Sequence, residues 1–227
     1  MSLVSRPPRM IAICGADGSG KSTQAAMLTA RLDESGVKAV RLWNRWTPWA
    51  VGAARAATRS VLSRQRVKSR DERSDELARA VATRPLLAEV FAMAAWLEYL
   101  VQTWWRLTRC AAGSDVVVVD RYVADMVVDR ARRLHWSESR MRREINLAYR
   151  LGFPAPVLTV FLDAPFEALC QRRPDENPRA LMERAELYRR LARALDAPVL
   201  EGTEPEACIN EELWRLLESL PPGPKKP

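Results

Sequence analysis

The sequence predicts an α/β fold built on a parallel sheet, and three observations carry that prediction. A glycine-rich loop at 15–22 joins a short apolar run to an amphipathic stretch. Asp115-Val116-Val117-Val118-Val119 is apolar without alternating, as a strand covered on both faces must be. Strand-like and helix-like stretches then alternate along the chain, the pattern of parallel strands joined by helical crossovers.

The loop reads Gly15-Ala16-Asp17-Gly18-Ser19-Gly20-Lys21-Ser22 and fits G-x-x-x-x-G-K-[ST]. Glycines at 15, 18 and 20 let backbone N–H groups turn inward around an anion. Lys21 can reach the β- and γ-phosphates of a nucleotide, and the Ser22 hydroxyl can ligate Mg²⁺. Met10-Ile11-Ala12-Ile13-Cys14 before it reads as a buried strand. Thr23 to Leu32 after it carries Ala26, Met27, Ala30 and Leu32 at helical spacing. The N-terminus of that helix adds its partial positive charge to the loop.

The remaining elements follow in order. Gly36 is expected to end the first helix, and Val37–Trp43 reads as a second strand. Asn44 to Trp49 is a loop, Val51–Ser63 a helix, and Arg64–Asp75 a densely charged stretch. Residues 52–73 hold seven basic residues against Asp71 and Glu72, a net charge of +5. A solvated face and a phosphate- or membrane-facing patch both fit that stretch. Glu76–Ala82 continues helically. Pro85 opens a long helix, Leu86–Cys110, apolar round most of its circumference; a core contact plus a dimer interface accounts for that. Gly113-Ser114 ends it.

The buried strand at 115–119 delivers Asp120-Arg121-Tyr122 at its end. Helices follow at Val123–Leu134 and Ser137–Leu151, with His135, the single histidine, in a surface or cap role. Pro156–Leu162 is the next strand, followed by Asp163 as a helix N-cap with Pro165 in the first turn. Phe166–Arg173 and Arg179–Leu195 are helices around a 174–178 loop. Pro198–Glu201 is a last strand and Glu204–Leu220 a last helix. Residues 221–227 read as a disordered tail, which leaves one domain over 1–220.

Composition narrows the function classes. The chain has 227 residues, 48% of them hydrophobic and 28% charged, so it can bury a core and is not of disordered composition. A net charge of +8 suits an anionic ligand. Cys14, Cys110, Cys170 and Cys208 are far apart, which points to a reduced, cytoplasmic protein without a zinc site. The first residues do not read as a signal peptide, and no apolar run is long enough to span a bilayer.

Ligands in parallel sheets gather at the carboxyl ends of strands. Here those ends carry the glycine loop, Arg45, Asp120-Arg121 and Asp163. Asp120 can hold Mg²⁺ or its waters, and Arg121 can clamp a phosphate bidentately; a structural salt bridge between the two is the plain alternative. The loop has no arginine of its own, so transition-state charge must be met from elsewhere. Arg172, Arg173 and Arg179 flank a Pro/Asp/Asn loop that could close over a nucleotide.

The glycine loop continued through Thr23-Gln24, then Asp120-Arg121-Tyr122, then Thr159-Val160-Phe161-Leu162-Asp163, together resemble a thymidylate kinase, one of the P-loop nucleoside monophosphate kinases. Leu181–Tyr188 is similar to the helix after that family's lid. The resemblance implies a five-stranded parallel sheet ringed by helices, ATP and Mg²⁺, and a homodimer. Residues 15–23 would bind the nucleotide, with Ser22 and Asp120 at the metal. Lys21, Asp17, Arg121, Arg172 and Arg173 would act in catalysis, and 172–180, with Arg179, would be the lid. Asp17, Arg45, Arg121 and Tyr122 would face the acceptor. Trp96 lies near the place of the family's Phe-Ala-x-x-Arg stretch, of which this chain has no clean copy. Met126 and Asp129 stand where some members put Asn and Tyr against the substrate. Thymidine monophosphate is the expected acceptor. The alternatives are another nucleotide or a phosphorylated metabolite, or a nucleotide-binding module without turnover.

Overall fold

Five strands form one parallel sheet: β1 (Arg9–Gly15), β2 (Ala39–Trp43), β3 (Val116–Asp120), β4 (Leu158–Asp163) and β5 (Val199–Glu201), in the order β2-β3-β1-β4-β5. The computed structural model describes residues 8–45, 47 and 85–220. The expected elements at 51–63 and 76–82, the basic 52–73 stretch and the 221–227 tail lie outside the described residues.

Both faces of the sheet are covered, which is why β3 reads as unbroken apolar sequence. Ile11, Ile13, Val118 and Val160 pack against α1 (Lys21–Glu34) and α7 (Glu206–Glu218) through Ala25, Leu28, Ile209 and Leu213. Met10, Ala12, Cys14, Val117, Val119 and Phe161 face the other way. They meet α2 (Pro85–Cys110), α3 (Val123–Leu134), α4 (Glu138–Arg150) and α6 (Pro178–Leu195). The short α5 (Phe166–Arg172) leads from β4 toward α6. No helix among the described residues is long and apolar enough to cross a membrane.

Several boundaries differ from the sequence reading for local reasons. Asp163 is not an N-cap: it is the last residue of β4, and its carboxylate accepts from Arg189 Nε at 2.7 Å. α6 starts one residue earlier than expected, because the Asn177 side chain accepts from the N–H groups of Arg179 and Ala180 and Pro178 needs no N–H partner there. His135 caps α3 in a left-handed conformation, φ +52°.

α2 has two distinct faces. Ala95, Trp96, Tyr99, Gln102, Thr103 and Leu107 are buried, whereas Val90, Leu97, Val101, Trp104 and Trp105 are exposed. The buried face is tied to the end of β2 through Asn44, whose Nδ2 donates to Tyr99 and Thr103 at 3.1 Å and whose Oδ1 accepts from Arg106 at 2.8 Å. Above it, Phe153 gathers Trp96, Tyr99 and Tyr122 at ring-centroid distances of 5.6, 5.2 and 6.3 Å. Trp96 Nε1 donates to the buried Glu144 at 2.8 Å, so its indole is satisfied at both its apolar and its polar ends. Trp96→Ala should cost about 3–5 kcal/mol, the usual range for removing a buried aromatic. Urea unfolding followed by circular dichroism checks this, and a loss below about 1 kcal/mol would show that the cluster is not core.

Candidate active site

The glycine loop closes over the end of β1 because three of its residues adopt conformations that side chains resist. Gly15, Gly18 and Gly20 have φ of +148°, +91° and +95°. A Cβ at Gly15 would collide with the Leu162 carbonyl of β4, so the loop sits directly on the neighbouring strand. Gly20 is the N-cap of α1 and has no side chain to fill the mouth of the helix. The loop, Arg121, Arg172, Arg173 and the turn at Gly202–Glu206 together line a cavity of about 440 Å³.

Charge is concentrated here. Lys21 is 4% exposed; its Nζ donates to the Ala16 carbonyl at 2.6 Å and lies 3.7 Å from Asp17 Oδ1. Burial pushes its ammonium pKa down, against the opposing pull of Asp125 and Asp120. The Arg121 guanidinium pairs with Asp17, and its backbone is left-handed at φ +71°, an uncommon state for a residue with a side chain. Such strain at a cavity wall is the kind held in place for a function.

Asp120 ends β3 at 1% exposure. Its Oδ2 accepts from Ser22 Oγ at 2.6 Å and from Arg41 Nη2 at 2.8 Å, while its Oδ1 is buried without a partner among the described residues. A hydroxyl and a carboxylate with an unbonded buried oxygen are hard donors that fit Mg²⁺, which takes few protein ligands and keeps waters and phosphate oxygens. Among the described residues, no cluster of three or more His, Cys, Asp or Glu is placed to hold a metal ion.

Of the residues singled out from the sequence, Asp17, Gly18, Gly20, Lys21, Ser22, Thr23, Arg121, Arg172 and Arg173 line one cavity. Ala16 and Ser19 sit buried behind it. Arg172 is not a free lid arginine, however. Its Nη1 donates to the carbonyls of Gly18 and Gly202, at 3.0 and 2.9 Å, and so staples the glycine loop to the turn after β5. Arg173 is held by Glu176 at 3.1 Å.

Of the residues expected against an acceptor, Asp17 and Arg121 line this cavity and the others lie elsewhere. Trp96 is core, as described above. Tyr122 is 2% exposed and donates to the Pro154 carbonyl at 2.7 Å. Met126, one turn further along α3, is buried at 5% on the same face. Asp129 does not line the cavity and pairs with Arg184 at 3.4 Å. Arg45 is exposed at the end of β2 and does not line the cavity either. Arg179, expected in the lid, lies in α6; its side chain is 85% exposed and pairs with Glu183.

Two residues of the site escaped the sequence reading. Asp125 is buried; it accepts from the Tyr122 N–H at 2.8 Å and from the Tyr188 hydroxyl at 2.7 Å, and lies 3.8 Å from Arg121. Burial pushes its carboxyl pKa up, with Arg121 and Lys21 pulling the other way. Its signal was an acid at the third position of a helix, where carboxylates meet free N–H groups. Gly202 is the second: a Cβ there would collide with the Ser19 carbonyl and come within 2.9 Å of the Asp163 carbonyl. No family model matches the chain, and comparison with curated proteins gives no match.

Gly202→Ala should push the glycine loop off the β5 turn. We expect the backbone collision to lower the melting temperature by several degrees and, if the cavity takes an adenine nucleotide, to weaken its binding at least tenfold. Calorimetric titration with ADP checks it, and wild-type affinity in the variant would show that the close approach carries no function.

Proposed function

We propose that this chain is an ATP-dependent kinase that phosphorylates a nucleoside monophosphate, with thymidine monophosphate as the first-choice acceptor. The observation that carries the reading is the meeting of Lys21, Ser22 and Asp120 beside Arg121 at the carboxyl ends of adjacent strands β1 and β3. Phosphoryl transfer asks a protein mainly for positioning and positive charge, and this cavity supplies both. The backbone N–H groups of the loop hold the donor phosphates. Lys21 exchanges the Ala16 carbonyl for a phosphate oxygen. Arg121, oriented by Asp17 and backed by Asp125, holds the acceptor phosphate in line. Mg²⁺, held by Ser22 and Asp120, would offset charge on the phosphate oxygens. Four free cysteines suit a reducing, cytoplasmic setting.

One observation favours a different acceptor within the same chemistry. Tyr122, Met126 and Trp96, which the resemblance puts against the acceptor, are packed into the core. Another nucleotide or a phosphorylated metabolite is thus the second reading.

A coupled ADP-release screen across all deoxy- and ribonucleoside monophosphates decides between them. We expect turnover with one monophosphate, and a loss of about 10²–10³-fold in kcat for Lys21→Ala, the usual effect of removing one charge-stabilising donor. ADP release with no acceptor, or full activity in Lys21→Ala, would overturn the proposal.

We also propose that the protein is a homodimer through α2. Val90, Ala94, Leu97, Val101 and Trp104 recur at alternating steps of four and three and all are exposed, the spacing of a helix that pairs with a copy of itself. Sedimentation should give about twice 25.7 kDa at micromolar concentration. A monomer there would overturn it.

A further inference from the structure

Arg41 lies on the edge strand β2, and its register explains its reach. It pairs with Val118, and Trp43 pairs with Asp120, so Arg41 stands one diagonal step from Asp120 on the same face of the sheet. A diagonal step is about 7–8 Å, within range of an arginine. The contact is made: Nη2 donates to Asp120 Oδ2 at 2.8 Å.

The cations that line the cavity make their direct contacts elsewhere, although Lys21 also feels the charge of Asp120. Lys21 is on the Ala16 carbonyl, Arg121 on Asp17, Arg172 on two carbonyls, and Arg173 on Glu176. Ser22 gives Asp120 a hydrogen bond but no charge. Among the described residues, Arg41 is the cation that pairs with this buried carboxylate. A carboxylate buried without a compensating charge is strongly disfavoured, so the pair has a clear physical purpose.

Resting on the kinase reading above, we infer that Arg41 competes with a divalent cation for Asp120: guanidinium and metal are alternative partners of one buried carboxylate. Arg41 and Ser22 share Oδ2, and Oδ1, the unbonded oxygen that suits a metal, belongs to the same carboxylate. A divalent ion at that carboxylate would face a guanidinium at hydrogen-bonding range, and like charges repel. Asp120 is held in the sheet at 1% exposure and cannot withdraw. Arg41 can, because its side chain is 36% exposed and can swing into water or toward phosphate. Metal binding and the Arg41–Asp120 pair are then antagonistic, and Arg41 sets how much divalent cation the site demands.

The test uses Mn²⁺ as the metal probe and ADP as the nucleotide, with free Mn²⁺ read by electron paramagnetic resonance. Arg41→Met should bind Mn²⁺ in the presence of ADP about 5–150-fold more tightly than wild type, the usual span of such coupling. Arg41→Lys should fall between, and Asp120→Asn should lose the binding. A wild-type measurement covers the case that Arg41→Met fails to fold. The Arg41 Nε–H resonance, assigned against Arg41→Lys, should shift when Mg²⁺ and ADP are added. Unchanged or weaker Mn²⁺ binding in Arg41→Met, or an unmoved Arg41 signal, would sink this inference alone. A wild-type protein that binds no Mn²⁺ with ADP would sink the kinase reading with it.

Discussion

Asp120 is a carboxylate with almost no access to water, and the arrangement around the glycine loop depends on how it is matched. Ser22 reaches it from the start of α1 and Arg41 from the edge of the sheet. Three consecutive neighbours in the sheet order, β2, β3 and β1 with its loop, are thereby tied at their carboxyl ends. The Arg41 side chain is 36% exposed, so the pair contributes less than a fully buried one, yet it gives the buried carboxylate a charge partner. One oxygen of the carboxylate ties the strands together and the other is unbonded and suits a hard cation, so structure and chemistry draw on one group.

Asp125, in the first turn of α3, has a parallel role. It fixes the turn after β3 by accepting from the Tyr122 N–H, reaches α6 through the Tyr188 hydroxyl, and lies beside Arg121. Arg121 is thus held by Asp17 in the glycine loop and Asp125 in α3, which accounts for its persistence in a left-handed backbone conformation. On the opposite rim, Arg172 joins the Gly18 and Gly202 carbonyls, and the close approach of Gly202 to Ser19 brings the β5 turn against the loop. The cavity is shaped by these cross-links as much as by the loop itself.

α2 shows how one helix can serve two surfaces. Its inner face holds the Asn44 hub and the Phe153 cluster, and its outer face carries exposed apolar residues at heptad spacing. An all-round apolar helix needs burial on several sides, and within the described residues the sheet supplies only one.

The sequence by itself determined the α/β class, the parallel sheet and the glycine-loop residues that line the cavity. These depend on local signals: glycines that permit positive φ, a strand apolar on both faces, and a motif whose residues lie within a few positions of one another. The surroundings of the other expected site residues were not legible. Whether Tyr122, Trp96 and Met126 face a ligand or the core depends on where Phe153 and Glu144 arrive from distant stretches of the chain, and only packing decides that. Likewise Arg41 and Asp120 are 79 positions apart, and Gly202 meets Ser19 across the sheet. Charge pairing and steric fit of that kind come from strand order and register, which no local pattern in the chain encodes.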